Sequence, residues 1–176
     1  ATAACLRALG AEITRTREGY AVKPAETMPD TAVLPCRDSG STLRFLLPVV
    51  GALGVTATFV TEGRLSQRPL SPLWEEMERM GCRLSRPTAD TLRCTGKLHP
   101  GEYTIAGNIS SQFITGLLIA LPMAERDTTV EVKGAVSTPY IDMTLSALSE
   151  FGMNTQIGEN NTIEIHSLGR FTSPDK

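Results

Sequence analysis

The stretches Leu-Gly-Ala-Glu-Ile at residues 9–13, Met-Gly-Cys-Arg-Leu at 80–84 and Phe-Gly-Met-Asn-Thr at 151–155 decide the fold of this protein. Each ends an apolar, helix-like run on glycine, and a short strand, a polar turn and a second strand follow. Gly10, Gly81 and Gly152 lie 71 residues apart both times. Two equal spacings with matching flanks indicate a repeated supersecondary unit. Equivalent helix ends of such a repeat converge, and here they carry Gly, Ser, Gln and Arg, residue types that bind phosphate.

The repeat period divides the chain into a tail and two complete units. We expect residues 1–34 to be the tail of a truncated unit, and residues 35–105 and 106–176 to be full units of one lobe. The sequence begins with Ala1, inside an expected helix and without an initiating Met. We therefore expect residues 1–176 to form a single-lobe fragment of a longer protein.

The second unit predicts the order of elements most clearly, and that order is β-α-β-α-β-β. Ser110 or Ser111 is expected to cap its first helix, Pro139 to open its second helix and Gly152 to end it. The predicted elements are a strand at 103–106, a turn at 107–109, a helix at 112–121, a strand at 128–133, a helix at 140–151 and a hairpin at 154–157 and 162–166.

The first unit repeats this order, with helices predicted at 42–53 and 71–80, a strand at 55–61 and a hairpin ending at Thr95. The first helix of each unit is apolar nearly all round, so it must be buried on most sides. The second helix of the first unit carries three Glu and one Arg and therefore has a solvated face. We expect an α/β (α+β) fold of repeated units in which sheets wall the buried helices.

Composition excludes several functional classes. A net charge of −2 and a pI near 5.7 argue against a nucleic-acid surface that depends on bulk charge. The apolar stretches are too short and too interrupted to span a membrane. The four Cys contain no CxxC pair, so we expect reduced thiols in a cytosolic protein, no metal site and no cofactor.

Candidate anion-binding residues lie where the first helix of each unit begins, at 38–42 and 108–112. A helix N-terminus offers unpaired N–H groups and a partial positive charge, although the same Ser and Thr residues are also ordinary N-caps. The loops 63–69 and 134–140 precede the second helices and place Arg68 and Ser137 at equivalent positions. Pseudo-symmetric packing of the two units would bring these loops and helix starts together.

The sequence does not decide the roles of two further arginines, Arg64 and Arg44. We expect Arg64 to be a solvated surface charge. For Arg44, contact with a ligand and a structural pairing with Asp38 or a loop carboxylate remain equally open. The end of the molecule on which they are expected also carries several Ser residues, Gln112 and Tyr140.

Four motifs at these places resemble the 5-enolpyruvylshikimate-3-phosphate synthase (3-phosphoshikimate 1-carboxyvinyltransferase) family. They are Asp38–Leu46, Arg64–Leu70, Ser110–Phe113 and Ser137–Asp142; they occur in the order typical of the family, and the resemblance covers essentially the whole chain. It implies a two-lobed inverse α/β prism, each lobe having three β-α-β-α-β-β units with the helices inside. This chain would be most of the N-terminal lobe.

The resemblance also implies a function in the shikimate pathway of aromatic amino acid and chorismate biosynthesis. The family is the glyphosate target and transfers the carboxyvinyl group of phosphoenolpyruvate to the 5-hydroxyl of shikimate 3-phosphate. A cytoplasmic, monomeric parent without cofactor, nucleic-acid or membrane partner is implied. Shikimate 3-phosphate would be held by Ser110, Ser111, Gln112, Ser137 and Tyr140, and phosphoenolpyruvate by Gly40, Arg68 and Gln112, with Ser41 and Arg44 as further candidates.

The family's Lys-Ser…Arg motif and its acid/base residues have no counterpart in this sequence. We therefore assign no catalytic acid or base and expect the fragment to be inactive without its C-terminal lobe. Two alternatives stay open: a non-catalytic anion-binding module of the same fold, and the related enolpyruvyl transferase that acts on UDP-N-acetylglucosamine. The latter usually carries a reactive Cys in the loop where this chain has Leu65-Ser66-Gln67.

Overall fold

Five helices and ten strands are seen in a computed structural model, which describes residues 1–134, 138–153, 155–158, 161–167 and 171–173. The helices are α1 (Thr2–Ala8), α2 (Gly40–Leu53), α3 (Leu73–Arg79), α4 (Ser111–Ala120) and α5 (Thr138–Glu150). The strands are β1 (Glu12–Arg15), β2 (Tyr20–Lys23), β3 (Thr31–Arg37), β4 (Thr56–Thr61), β5 (Cys82–Ser85), β6 (Thr91–Gly96), β7 (Glu102–Ala106), β8 (Thr128–Lys133), β9 (Thr155–Ile157) and β10 (Thr162–Ile165).

The two four-stranded sheets have the same topology, which confirms the repeated β-α-β-α-β-β order. Their strand orders are β3-β4-β6-β5 and β7-β8-β10-β9. In each sheet the first two strands are parallel and the remaining pairs are antiparallel. The parallel pair needs a crossover helix, which is α2 in one unit and α4 in the other. The tail adds α1 and the separate hairpin β1-β2.

The crossover helices lie inside and the sheets lie outside, as the sequence predicts. Nine of the fourteen residues of α2 and seven of the ten residues of α4 are buried, and the two helices pack against each other. By contrast, only three of the thirteen residues of α5 are buried. The strands bury alternate residues, for example Ala32, Leu34 and Cys36 of β3, so each sheet turns one face to the core.

Helix bounds differ from the prediction where local hydrogen bonds decide them. Ser39 caps α2 through its hydroxyl, which accepts from the Thr42 N–H at 3.4 Å, so the helix begins at Gly40 and not at residue 42. The predicted end is confirmed, because Gly54 adopts the left-handed conformation (φ 71°) that ends many helices. The helix predicted at 71–80 covers only Leu73–Arg79, and Pro72 occupies its N-cap position.

The close packing of α2 on α4 depends on a residue without a side chain. A Cβ at Gly116 would collide with the backbone carbonyl oxygen of Arg44 and would lie 3.2 Å from Cγ of Pro48. The two backbones therefore approach more closely than a larger residue at position 116 would permit. This approach brings the first turn of α4 next to Arg44.

A buried carboxylate links α3 to the second four-stranded sheet. Glu76 of α3 is 8% exposed, and its Oε1 accepts a hydrogen bond from the Thr104 N–H at the start of the second sheet. Arg79 donates to both carboxylate oxygens, at 2.9 and 2.7 Å. A buried charge with this many donors is satisfied, so it acts as a specific link between α3 and β7.

We expect Glu76→Gln to lower the free energy of unfolding by about 1 kcal/mol, because the amide loses the charge and turns a donor toward Arg79. The loss stays small because Arg79 is half-exposed and solvent screens its charge. Urea unfolding followed by circular dichroism measures the change. Glu75→Gln, on the exposed neighbouring residue of the same helix, is the control. Equal midpoints for the two variants would contradict the proposed link.

Candidate functional site: a polar cavity at the inner helix N-termini

A cluster of hydroxyl groups surrounds the N-terminus of α2. The Ser39 hydroxyl lies 2.8 Å from that of Thr42 and 3.5 Å from that of Ser41. The Thr42 hydroxyl in turn lies 2.8 Å from that of Thr2 in α1. Ser41 is therefore part of the capping cluster that fixes this helix start against the tail of the chain.

The loop before α3 is held by two leucines and carries Arg68 between them. Leu65 and Leu70 are buried at 1% and 5% exposure. The Arg68 guanidinium lies next to Gly40, since Nη1 would be 3.1 Å from a Cβ built there. The Arg68 Nη2 is 3.9 Å from the Asp38 carboxylate, a long contact between half-exposed groups that is worth little energy.

A cavity of about 1050 Å³ opens at the N-terminus of α4. Its polar end contains the first residues of that helix and the arginine of α2, and its apolar end lies between α4 and α5. The described lining residues are Arg44, Phe45, Gly107, Asn108, Ile109, Ser110, Ser111, Gln112, Thr115, Ile119, Tyr140, Met143, Thr144, Ala147, Leu148 and Phe151.

Arg44 connects this cavity to the loop that carries Arg68. Its Nη1 donates to Oε1 of Gln112 at 2.7 Å, and its Nη2 donates to the Pro69 carbonyl oxygen at 3.5 Å. The guanidinium carbon lies 5.3 Å from the ring centre of Phe113, within range of a cation–π interaction. The starts of α2 and α4 are therefore side by side.

The electrostatics of the cavity favour an anion. Its described lining contains one arginine and no carboxylate, and the N-terminus of α4 adds a partial positive charge. Burial lowers the pKa of the Arg44 guanidinium, and the nearby positive charge of Arg68 lowers it further. The arrangement can bind and neutralise an anionic ligand, and its described lining contains no Asp, Glu, His or Lys that could act as a general acid or base.

The structure brings together most of the residues that the sequence singles out. Arg44, Ser110, Ser111, Gln112 and Tyr140 line the cavity, and Ser137 lies outside the described residues. Gly40, Ser41 and Arg68 lie beside it, around the N-terminus of α2, and Arg68 faces a shallow depression of about 390 Å³. Arg64 is exposed and lines neither space.

One of the alternatives for Arg44 is not realised, and Ser110 caps α4 by its position only. Asp38 is not the partner of Arg44; its carboxylate approaches Arg68, while the described partners of Arg44 are Gln112 and Pro69. Ser110 occupies the N-cap position of α4, but its side chain makes no capping hydrogen bond, because the Phe113 N–H bonds to its carbonyl oxygen.

Thr115 and Thr144 also line the cavity, although the sequence motifs do not single them out, and their hydroxyls lie 3.0 Å apart. They tie α4 to α5. Thr144 lies one helical turn after Tyr140, so the i, i+4 spacing on α5 is a signal that identifies it.

No group of three metal-ligating side chains occurs among the residues that the structure describes. No helix in this described part is long and apolar enough to cross a membrane. All four cysteines are buried as free thiols.

Comparisons with known proteins agree with each other. The sequence model of the family "EPSP synthase (3-phosphoshikimate 1-carboxyvinyltransferase)" matches residues 1–175. The 3-phosphoshikimate 1-carboxyvinyltransferase of Clostridium beijerinckii is 37% identical over 171 residues, 92% of this chain and 39% of that protein. The enzyme of the same name from Clostridium botulinum is 36% identical over 98% of this chain and 41% of its own length.

The fold has a solved counterpart as well. The EPSP synthase of Acinetobacter baumannii superposes with a TM-score of 0.74 at 21% identity, over 97% of this chain and 39% of that one. This chain therefore spans about two fifths of the length of the relatives that it matches.

Proposed function

Because this chain belongs to the EPSP synthase (3-phosphoshikimate 1-carboxyvinyltransferase) family, we propose that it forms most of the N-terminal lobe of such an enzyme. The enzyme would transfer the carboxyvinyl group of phosphoenolpyruvate to the 5-hydroxyl of shikimate 3-phosphate. In this proposal residues 1–34 complete a unit that begins elsewhere in the protein, and residues 35–105 and 106–176 are the two following units. The C-terminal lobe would be the partner that completes the site.

The hydrogen bond between Arg44 and Gln112 is the observation that carries the proposal. It joins the N-termini of the two inner helices beside a cavity whose described lining has no carboxylate. Both proposed substrates are phosphorylated polyanions, and two helix N-termini with an arginine between them suit such ligands. This match of charge supports a substrate-binding role for the lobe.

The roles of individual residues follow the motifs. We propose that shikimate 3-phosphate is held at the polar end of the cavity by Ser110, Ser111, Gln112, Ser137 and Tyr140. Phosphoenolpyruvate would lie nearer the N-terminus of α2, against Gly40, Arg68 and Gln112. Gly40 suits this role because a Cβ at that position would press on the Arg68 guanidinium, at 3.1 Å from its Nη1.

The chemistry divides between the two lobes in this proposal. The reaction protonates the enol carbon of phosphoenolpyruvate, and the substrate hydroxyl attacks the cation-like centre and gives up its proton. The tetrahedral adduct then loses phosphate together with a proton from the new methyl group, which restores the vinyl group. The described cavity supplies hydrogen-bond donors and positive charge, which position the substrates and offset their charge. The proton-transfer groups would come from the other lobe.

The apolar end of the cavity supports the proposal that the site is shared between this lobe and the rest of the enzyme. Met143 and Phe151 are 63% and 43% exposed there. Exposed apolar side chains grouped in one place are typical of a contact surface. We propose that the parts of the enzyme that this chain does not contain cover this end of the cavity.

The UDP-N-acetylglucosamine alternative has less support. Its usual reactive Cys would fall in the loop at 64–68, and the four cysteines lie at 5, 36, 82 and 94, all buried. The cytoplasmic location and the monomeric parent expected from the sequence stay predictions.

Binding and activity measurements on the 176-residue chain test the proposal. We expect weak binding of shikimate 3-phosphate, with a Kd of about 1 mM, because half of the site is missing. Amide NMR signals of Ser110, Ser111 and Gln112 should shift on titration. Phosphate release from phosphoenolpyruvate and shikimate 3-phosphate should be absent until the C-terminal lobe and the missing part of the first unit are both supplied.

A matched pair of variants makes the test specific. Ser111→Ala should reduce the affinity for shikimate 3-phosphate, whereas Ser85→Ala, on the exposed face of β5, should leave it unchanged. Turnover by the chain alone would contradict the half-site proposal. A titration that leaves the signals of residues 110–112 in place would remove them from the site. Binding that persists without turnover in a complete protein with both lobes would favour the non-catalytic module.

A further inference from the structure

We infer that Arg44 is a positioning residue that fixes the orientation of the Gln112 carboxamide, so that Gln112 presents only N–H donors to the cavity. The identity of the ligand rests on the proposed function, but the orientation of the amide does not. The inference explains why a cation is placed where neither Asp38 nor another described carboxylate pairs with it.

Three contacts hold the Arg44 guanidinium in one place. Nη1 bonds to Gln112, Nη2 reaches the carbonyl oxygen of Pro69, and the plane lies over Phe113, which is 1% exposed. These contacts come from α4 and from the loop that carries Arg68. The guanidinium is therefore held by three contacts before any ligand binds.

A guanidinium in a fixed position determines which way the neighbouring amide group of a glutamine side chain is turned. A glutamine can turn its carbonyl oxygen or its NH₂ group either way, but arginine has only donors. The carbonyl oxygen of Gln112 must therefore face Arg44, and the two N–H donors are left for other partners. Since Gln112 lines the cavity, these donors are available to phosphate or carboxylate oxygens there.

The orphaned Nε of Arg44 supports a role that depends on a ligand. This buried atom has no hydrogen-bond partner among the described residues. Burial lowers the pKa of the guanidinium, and the charge that lowers it further is that of another cation, Arg68. An arginine kept for stability alone is expected to have a carboxylate partner. Arg44 instead makes its shortest described hydrogen bond to a neutral amide, that of Gln112. This bond polarises the amide and holds it in one orientation.

Lysine cannot reproduce this arrangement, because its ammonium group is a point charge without the planar fork. In the chain without ligand, we expect Arg44→Lys to shift and broaden the side-chain NH₂ signals of Gln112 in ¹H–¹⁵N spectra. Arg86→Lys is the matched control, since Arg86 also lies over an aromatic ring, that of Trp74, at 5.9 Å, but is exposed and outside the cavity. Gln112 signals that do not move in Arg44→Lys would overturn the inference.

A second variant keeps the test informative if Arg44→Lys unfolds. Gln112→Glu should fold, because the carboxylate still accepts from Arg44, but it removes the donors that face the cavity. We expect it to weaken binding of shikimate 3-phosphate at least tenfold, and Arg44→Lys to weaken it about tenfold in the wild-type background but little in a Gln112→Ala background. Additive losses in this cycle, or an unchanged affinity in Gln112→Glu, would contradict the inference.

The two ideas fail in different ways. If the wild-type chain does not bind shikimate 3-phosphate while Arg44→Lys still moves the Gln112 signals, the inference stands and the proposed ligand is wrong. If the chain binds shikimate 3-phosphate and the Gln112 signals do not change in Arg44→Lys, the proposed function stands and Arg44 has no positioning role.

Discussion

Replacing Gly116 by alanine is expected to lower the free energy of unfolding by about 2 kcal/mol. The new Cβ would collide with the backbone carbonyl oxygen of Arg44, which cannot move without moving α2. Such overpacking costs about 3 kcal/mol, and the better helix propensity of alanine offsets about 1 kcal/mol of it. Urea unfolding of the purified chain measures the difference.

Gly158→Ala is the matched control for this substitution. A Cβ at Gly158 would have only an ordinary contact, 3.5 Å from the Thr162 carbonyl oxygen. We expect this variant to change stability by less than about 0.5 kcal/mol. If both alanine variants unfold at the same urea concentration, α2 and α4 are not packed as closely as described. If the Gln112 side-chain signals shift in Gly116→Ala but not in Gly158→Ala, the packing of α2 on α4 also determines the position of Gln112 in the candidate site.

Removing the side chain of Arg68 is expected to raise the apparent KM for phosphoenolpyruvate by about 10- to 100-fold in the complete enzyme that we propose. Arg68 lies beside Gly40 at the N-terminus of α2, with only a long contact to Asp38 to offset its charge. A charge-assisted hydrogen bond to an anion is worth about 1.5–3 kcal/mol, which corresponds to this range. Steady-state kinetics at saturating shikimate 3-phosphate measure the effect of Arg68→Ala.

Arg64→Ala tests whether the effect depends on position or only on net charge. Arg64 belongs to the same loop and is exposed, but it lines neither the cavity nor the depression beside it. We expect its removal to change the KM for phosphoenolpyruvate by less than about twofold, since exposed charges are screened. An unchanged KM in Arg68→Ala would exclude Arg68 from the site, and equal effects of the two variants would indicate steering by charge alone.

The candidate site was predictable wherever its residues lie in local motifs. Ser110, Ser111 and Gln112 begin a helix that hydrophobic periodicity and capping residues already indicate, and Tyr140 follows the proline that opens α5. The pairing of Arg44 was not predictable in this way. Its partner lies 68 positions away, and a nearby carboxylate at residue 38 offered an equally good partner by charge.

The sequence by itself determined the repeated β-α-β-α-β-β order and the burial of α2 and α4, because periodicity, capping and glycine stops act over a few neighbouring residues. Only the tertiary structure decided that Arg44 meets Gln112, that Glu76 links α3 to β7 and that Gly116 lets the inner helices touch. Each of these depends on how two distant backbones approach, to within the width of a methyl group. Local patterns contain no information about that distance, since packing of the whole core sets it.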